Sequence, residues 1–213
     1  MPPQGSRRWR DLPETGTDTE TPPLDALEAL TTRASPIALT EPAPDAAMLA
    51  LMLRAAARAP DHGRLKPWRF IVIDGAARQA LGEVLATALK RREPDAPEAV
   101  IEKERGKPLR APLLIVVAAH VRDNSKVPAI EQVIAAGAAA QNILVAAHAL
   151  GFGAFWRTGT AAYDETVKAA LGLAASDAIV GFLYLGTTSV AAGPMPPSDH
   201  ATRMTRWTGP DRR

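Results

Sequence analysis

A long alanine-rich segment, residues 130–150, carries apolar side chains on almost every side of the helix that it predicts. Gly151 follows it, as expected for a glycine just beyond a helix C-terminus. A helix that is apolar all round must be covered on every side, and one domain of this size offers few ways to do so. We therefore expect a homodimer with this helix at the interface, where a charge in mid-helix, such as Ala139→Glu, would separate the subunits.

The same segment does not predict a membrane span. Its low-charge stretch, 133–155, is interrupted by Gln141, Asn142 and His148, and no apolar run in the chain reaches the ~18 residues that a span needs. Arg7 and Arg8 are followed by polar residues rather than by the apolar core of an export signal. The chain has no cysteine, which fits a reducing compartment. We expect a cytoplasmic protein without membrane contact.

Composition also argues against several classes of function. The net charge of +2 gives no basic stripe for nucleic acid. The histidines at 62, 120, 148 and 200 are never three or four residues apart and have no carboxylate cluster beside them, so we expect no metal. The chain lacks the G-x-S-x-G motif of a hydrolase nucleophile.

The remaining patterns predict alternating elements. Helices are expected at 24–32, 45–58, 76–90, 98–106 and 164–171, with Asp45 as an N-cap and the 98–106 helix charged and exposed. Strands are expected at 69–74, 112–119, 153–157 and 179–185, the second of them buried on both faces. This alternation predicts an α/β or α+β fold with one central sheet.

The two ends of the chain differ from its middle. Residues 1–23 hold five prolines among polar residues and predict a disordered extension. Residues 24–190 form the expected domain. The tail, 191–213, contains Met195, Met204 and Trp207. Large apolar side chains of this kind are unusual in a tail that packs on nothing, so we expect this tail to pack on the partner subunit.

Two segments carry candidate binding residues. Arg33 and Ser35 combine a guanidinium with a hydroxyl two residues away, which suits a phosphate; spacing alone favours the alternative of a solvated helix end. His62 lies in a loop between a predicted helix and a predicted strand, where functional residues concentrate. His148, inside the long helix, is more typical of a core histidine. The glycines of 151–156 do not predict a dinucleotide fold, because a helix precedes them and a strand follows.

Taken together, these segments resemble the nitroreductase family, in its short bacterial branch of NAD(P)H nitroreductases. The resemblance runs in order over about 24–190. Its pieces are Arg33-Ala34-Ser35, Arg58 to His62 with Lys66-Pro67-Trp68, Arg110-Ala111-Pro112, Lys126-Val127-Pro128, Gly151-Phe152-Gly153 with Trp156-Arg157-Thr158, and 180–186.

The resemblance implies an α+β fold in which helices flank a mostly antiparallel sheet, with a homodimer holding one FMN in each interface pocket. It implies NAD(P)H as electron donor and no catalytic side chain, because the chemistry takes place at flavin N5. The FMN contacts carried over by position are Arg33, Ala34, Ser35, Arg58, His62, Trp156, Arg157 and Thr158, with Arg157 joining Arg33 and Ser35 at the phosphate. The implied nicotinamide segment is Ala146, Ala147, His148, Ala149, Leu150 and Gly151.

The implied activity is ping-pong reduction of nitroaromatic compounds, quinones or related acceptors. A flavin-binding or storage protein of the same fold, without efficient turnover, is the alternative. The chain departs from the family in one place: Ala34 stands where a second arginine usually follows the first. One positive charge near the flavin is therefore missing.

Overall fold

The computed structural model describes residues 24–123, 126–188 and 199–209. The extension expected at 1–23 lies outside these residues, as do 189–190 of the expected domain and 191–198 and 210–213 of the expected tail. Four antiparallel strands form one sheet in the order β1-β2-β4-β3. They are β1 (Trp68–Asp74), β2 (Leu113–Ala119), β3 (Gly153–Arg157) and β4 (Ala178–Gly186). The expected antiparallel sheet is confirmed.

The central strand β2 divides the core into two layers. All of its residues are buried, as its apolar run predicts. Leu114 and Val116 face one cluster of core side chains, while Ile115 and Val117 face the other, because successive side chains of a strand point to opposite faces.

Helices cover both faces of the sheet. Among the described helices, α3 (Ala77–Arg92) and α6 (Glu165–Ala170) pack on one face of the sheet. Helices α2 (Ala46–Ala56) and α5 (Ala129–Ala149) pack on the other face. The remaining helices are α1 (Ala26–Thr32), α4 (Glu98–Arg105) and α7 (His200–Arg203). Asp25, Asp45 and Asp164 cap α1, α2 and α6 by accepting backbone N–H groups, which confirms the expected cap at Asp45.

Helix α4 is largely exposed, as its charges predict, but it buries two of its residues. Ile101 and Glu104 are 3% and 8% exposed, and Ile101 packs with Ala86 and Leu89 of α3. Gly82 lets α3 approach α4 closely, because a side chain there would collide with the carbonyl of Arg105. The prediction did not indicate this buried side, because tertiary packing, not composition, decides which side of a short helix is buried.

Helix α5 is the long apolar helix expected from the sequence, and Gly151 follows it with φ +82°. By length and composition it could cross a membrane, but its face at Ala136, Ala140 and Ile143 is buried within the protein core. Cytoplasmic location remains a prediction.

The uncovered side of α5 lies near its N-terminus, where Ile130 and Ile134 are 63% and 62% exposed. Ala139, in contrast, is fully buried within its own chain. The expectation that Ala139→Glu would act at a subunit interface is therefore wrong, since a carboxylate there would enter the core of the same chain. In the tail, Met204 and Trp207 are exposed in the single chain.

Candidate functional site

The binding residues expected from the sequence fall in three places. The first is the end of α1, where Arg33 is the C-cap residue. Its guanidinium donates to the carbonyl of Ala34 at 2.9 Å and to Ser35 Oγ at 3.0 Å. A guanidinium and a hydroxyl are thus brought together at an exposed helix end, a donor set that suits a phosphate.

This helix end is tied to the last turn of α5. Thr32 Oγ1 donates to the carbonyl of Glu28 at 2.6 Å and lies 2.9 Å from His148 Nε2. A hydroxyl has one proton to donate, so when Thr32 donates to Glu28, its bond with His148 requires a proton on Nε2. Burial lowers the pKa of His148, the positive charge of Arg33 lowers it further, and Glu28 acts in the opposite direction.

The expected nicotinamide segment, 146–151, forms the last turn of α5 and its end. His148 is half-buried and Gly151 is exposed. Ala147 is fully buried, and its carbonyl accepts the N–H of Phe152 at 2.8 Å. The assignment of Ala147 as a nicotinamide contact is therefore corrected, because the protein itself encloses both its side chain and its carbonyl.

The second place is a cavity of about 320 Å³ beside the C-terminal end of β3, a volume typical of small-molecule and cofactor sites. Three of the expected FMN contacts line it, namely Trp156, Arg157 and Thr158. The other lining residues are Leu81, Leu85, Glu104, Lys107, Phe155, Gly159, Ala161, Phe182 and Tyr184.

Charged and polar side chains line this cavity together with apolar ones. The guanidinium of Arg157 lies 4.6 Å from the centre of the Phe155 ring and makes no hydrogen bond or ion pair within the described part of the chain. Burial raises the pKa of Tyr184, while Arg110 and Arg157 act to lower it. The Tyr184 hydroxyl also has no hydrogen-bond partner among the described residues.

A buried carboxylate completes the cavity wall. Glu104 forms an ion pair with Lys107 through Oε2, but its Oε1 is buried and accepts no hydrogen bond from the described residues. Sequence reasoning missed Glu104, a buried residue of the mostly exposed α4, and Lys107, which follows α4 in a 3₁₀ turn. Glu104 lies three residues after Ile101, so both share one face of the helix, a spacing that could have indicated its burial.

The third place is the 3₁₀ turn His62–Arg64 before β1. His62 Nδ1 lies 2.5 Å from Glu131 Oε2, in the first turn of α5, and Gly63 contacts Val127. Arg58 is exposed just upstream. Within residues 24–123, 126–188 and 199–209, no three His, Asp or Glu side chains form a group that could hold a metal ion.

These places are well separated within one chain. Glu131 and His148 are 17 positions apart on α5, about 26 Å at 1.5 Å per residue. The turn at His62 and the pair Arg33–Ser35 therefore lie at opposite ends of this helix. The length exceeds that of an extended flavin mononucleotide.

Arg157 also lies apart from Arg33. Pro36 packs on Gly153 at the start of β3, whereas Arg157 ends the same strand, about 13 Å away at the usual rise per residue. That Arg157 joins Arg33 and Ser35 at one phosphate stays a prediction. Gly153, Phe155 and Arg157 alternate onto the same face, so the two regions lie along one side of the strand.

Comparisons with known proteins agree with this architecture. The model of the family described as "Nitroreductase family" matches residues 30–187. YdjA of Escherichia coli (strain K12), named "Putative NAD(P)H nitroreductase YdjA", is 44% identical over 169 residues, which cover 79% of this chain and 91% of that protein.

Solved structures share the fold. A nitroreductase-like family protein from Bacillus cereus superposes with a TM-score of 0.75 at 22% identity, covering 90% of this chain and 100% of that one. A nitroreductase with bound FMN from Bacteroides fragilis gives a TM-score of 0.65 at 21% identity, covering 85% of this chain and 97% of the other.

Proposed function

The chain belongs to the nitroreductase family, and from this premise we propose that it is an FMN-dependent oxidoreductase. It takes hydride from NAD(P)H and reduces nitroaromatic compounds, quinones or related acceptors. The name of the Escherichia coli relative supports the electron donor, and the flavin in the Bacteroides fragilis structure supports the cofactor. The observation that carries the proposal is the cavity at the end of β3.

The residues around this cavity fit FMN. Arg33 and Ser35 offer a guanidinium and a hydroxyl for the phosphate monoester, without a second binding loop for an adenine half. About 7 Å along β3 from the contact between Pro36 and Gly153, Phe155 and Tyr184 offer walls for a flat ring. Glu104 Oε1, buried and without a partner, indicates that the cavity receives a polar ligand.

A second copy of the chain is needed to complete the site. The turn at Arg58 and His62 is about 26 Å from the Thr32–His148 contact along α5, too far to touch the flavin held at Arg33 in the same chain. Two antiparallel α5 helices related by a two-fold axis would bring the N-terminus of one beside the C-terminus of the other. The exposed Ile130 and Ile134 supply an apolar surface for that contact.

The flavin, when bound, accepts hydride from a nicotinamide and passes electrons to a second substrate. The protein residues bind, orient and shield it: Arg33 and Ser35 hold the phosphate, and the cavity wall from Trp156 to Thr158 limits access of water to one face. The accessible residues of 146–151, among them the half-buried His148 and the exposed Gly151, lie beside the phosphate end and are proposed to contact the nicotinamide cofactor. We further propose a ping-pong order, in which both substrates use the same open face in turn.

An absorbance spectrum of the purified protein is the first test. The protein should be yellow and release FMN rather than FAD on denaturation. Initial-rate measurements with NADH or NADPH, against a nitroaromatic and a quinone acceptor, should give the parallel double-reciprocal lines of a ping-pong mechanism. Bound FMN without turnover would favour the storage protein. A colourless protein that also fails to bind added FMN would overturn the proposal.

A further inference from the structure

We propose that a basic patch near the N-terminus of α5, formed by Arg64, Lys66 and Arg122, binds phosphate groups of NAD(P)H held by the partner subunit. All three side chains are exposed in the single chain. The inference rests on the proposed function, because it takes NAD(P)H as the electron donor. It gives a role to three cations that lie outside the contacts proposed for the flavin and for the nicotinamide.

Two contacts join the turn between α2 and β1, which carries two of the three cations, to the segment between β2 and α5. The backbone N–H of His120 donates to the carbonyl of Pro67 at 2.7 Å. Gly63 packs on the side chain of Val127. The turn and the segment therefore lie side by side.

A buried glutamine fixes the third cation beside this turn. Gln132, which is 1% exposed, donates to the carbonyl of Arg122 at 2.9 Å and to that of Val127 at 3.0 Å. Two carbonyl oxygens bonded to one nitrogen lie less than about 6 Å apart. The backbone of Arg122 is thus held next to Val127, on which Gly63 packs, and the three cations belong to one surface.

Positive charge exceeds negative charge around the basic patch. Residues 58–66 and 120–131 together hold five lysines and arginines against three carboxylates. Two of these carboxylates are already engaged. Asp61 accepts a backbone N–H of the turn at 2.6 Å, and Glu131 pairs with His62. The surface is therefore suited to an anion.

The three cations are also available to a ligand. The side chains of Arg64, Lys66 and Arg122 make no hydrogen bond or ion pair with the residues that the structure describes. Arg64 and Lys66 have φ values of +53° and +48°, a left-handed conformation that is uncommon for residues other than glycine. Strain of this kind is concentrated at sites that hold ligands.

The position of the basic patch indicates which anion it meets. In the proposed two-fold arrangement, the N-terminus of α5 in one subunit lies beside the C-terminus of α5 in the other, where segment 146–151 is proposed to contact NAD(P)H. The dinucleotide carries its negative charge on a pyrophosphate and, in NADPH, on a 2′-phosphate as well. Arginine binds phosphate oxygens through charge-assisted hydrogen bonds. The patch would hold these phosphates while the nicotinamide reaches the flavin.

Rapid-mixing measurements of flavin reduction in the FMN-loaded dimer test the patch. NADPH, NADH and reduced nicotinamide riboside, which has the same ring without phosphate, are mixed with the wild type, Arg64→Gln and Arg122→Gln. Each variant should lower the second-order rate constant for NADPH by about 10-fold, the low end for a hydrogen bond to a charged group. Reduction by the riboside should change little. Arg91→Gln, an exposed arginine of α3 on the opposite face of the sheet, is the control and should match the wild type.

The three reductants also separate the two sources of phosphate. Equal losses with NADPH and NADH would assign the patch to the pyrophosphate, and a loss with NADPH alone would assign it to the 2′-phosphate. Arg64→Gly removes the charge and suits the left-handed backbone, so its loss should equal that of Arg64→Gln without any cost in folding.

The inference and the proposed function fail in different ways. If the wild type and the variants are reduced at equal rates by every reductant, or if reduction by the riboside falls as much as reduction by NADPH, the phosphate site is overturned. If none of the three compounds reduces the flavin of the wild type, the proposed function itself fails, and the phosphate site falls with it.

Discussion

His148 Nε2 lies 2.9 Å from the hydroxyl of Thr32, so the last turn of α5 is linked directly to the end of α1. Arg33, the next residue after Thr32, is the cation proposed to hold the FMN phosphate, and His148 belongs to the segment proposed for the nicotinamide cofactor. The two proposed binding segments are therefore in contact. A change in the protonation of His148 acts on the surroundings of Arg33.

The stability of the protein should fall on mild acidification because of His148. Burial and Arg33 lower its pKa from the ordinary value of 6.5, so the unfolded chain binds this proton more readily than the folded chain. The contribution of neutral His148 to the free energy of unfolding is therefore fully present above pH 6.5 and declines as the pH falls below 6.5. Urea unfolding between pH 8 and pH 5 should show this decline. This decline of stability with pH should be smaller in His148→Gln and should persist in the control His200→Gln, a substitution in α7. If stability depends on pH equally in the wild type and in His148→Gln, His148 is not its cause.

Arg33 and Arg157 should affect different parts of the cofactor. Arg33→Ala should weaken FMN binding by roughly 1.5–3 kcal/mol, the scale of a charge-assisted hydrogen bond, and Ala34 offers no charge to compensate. Its effect on riboflavin, which has no phosphate, should be small. Arg157→Ala, beside the ring cavity, should weaken FMN and riboflavin by similar factors. Fluorescence titration with both flavins measures this, with the exposed Arg91→Ala as control. If both variants lost FMN affinity by the same factor and neither lost riboflavin affinity, the two arginines would lie at one phosphate.

The elements of the fold were predictable because their signals are local. The apolar run of β2 indicates a strand buried on both faces, and Asp45 caps α2 by accepting the N–H of Met48, a contact three residues away in sequence. The end of α5 follows from one residue, Gly151. Such features depend on neighbours along the chain, so the sequence alone indicates them.

The site was less predictable because it depends on distances between elements. The position of Arg157 far along β3 from the contact between Pro36 and Gly153 has no counterpart in the motif order. The burial of Glu104 depends on how closely α4 approaches Gly82 of α3. Ala139 illustrates the same limit: in an all-apolar helix, the sequence does not indicate which face meets the core.

Asp177 should stabilise the protein at neutral pH, and this stabilisation should be lost in acid. It is fully buried and accepts hydrogen bonds from the N–H of Ala174 at 3.0 Å and from His120 at 2.8 Å, with Arg69 at 3.4 Å. Burial acts to raise its pKa, but these partners lower it below the ordinary value. The contribution of the Asp177 carboxylate to the free energy of unfolding is thus present above the ordinary pKa of about 3.8. It is lost as the pH falls through the lower pKa of the folded state.

Asp177→Asn should therefore lower the free energy of unfolding at pH 7 by about 1–3 kcal/mol, because the amide removes the charge and one acceptor from three donors. The exposed Asp199→Asn is the control and should leave stability nearly unchanged. Denaturant unfolding at pH 7 and at a pH below 3.8 measures the effect, which should be smaller at the lower pH. An Asp177→Asn protein as stable as the wild type at pH 7 would show that this buried network contributes little.

Dimerisation and flavin binding should be lost together when the uncovered face of α5 is charged. Ile134 is 62% exposed in the single chain, so a glutamate there does not enter the core of its own subunit, unlike one at Ala139. In the proposed two-fold arrangement it would place a charge in an apolar interface, where it lacks a partner. Each flavin is proposed to contact Arg33 of one subunit and the turn at His62 of the other. Monomers should therefore lose bound FMN.

The linkage runs in both directions, because a ligand that binds only the dimer stabilises it by mass action. Added FMN should shift wild-type protein toward the dimer at low concentration, and it should rescue Ile134→Glu only at a much higher concentration. Light scattering with absorbance detection measures mass and bound flavin in the same peak. Val100→Glu, a partly exposed apolar position on α4, is the matched control and should remain a yellow dimer. A monomeric Ile134→Glu that still holds one FMN per chain would show that a single subunit completes the site, and the shared arrangement would have to be abandoned.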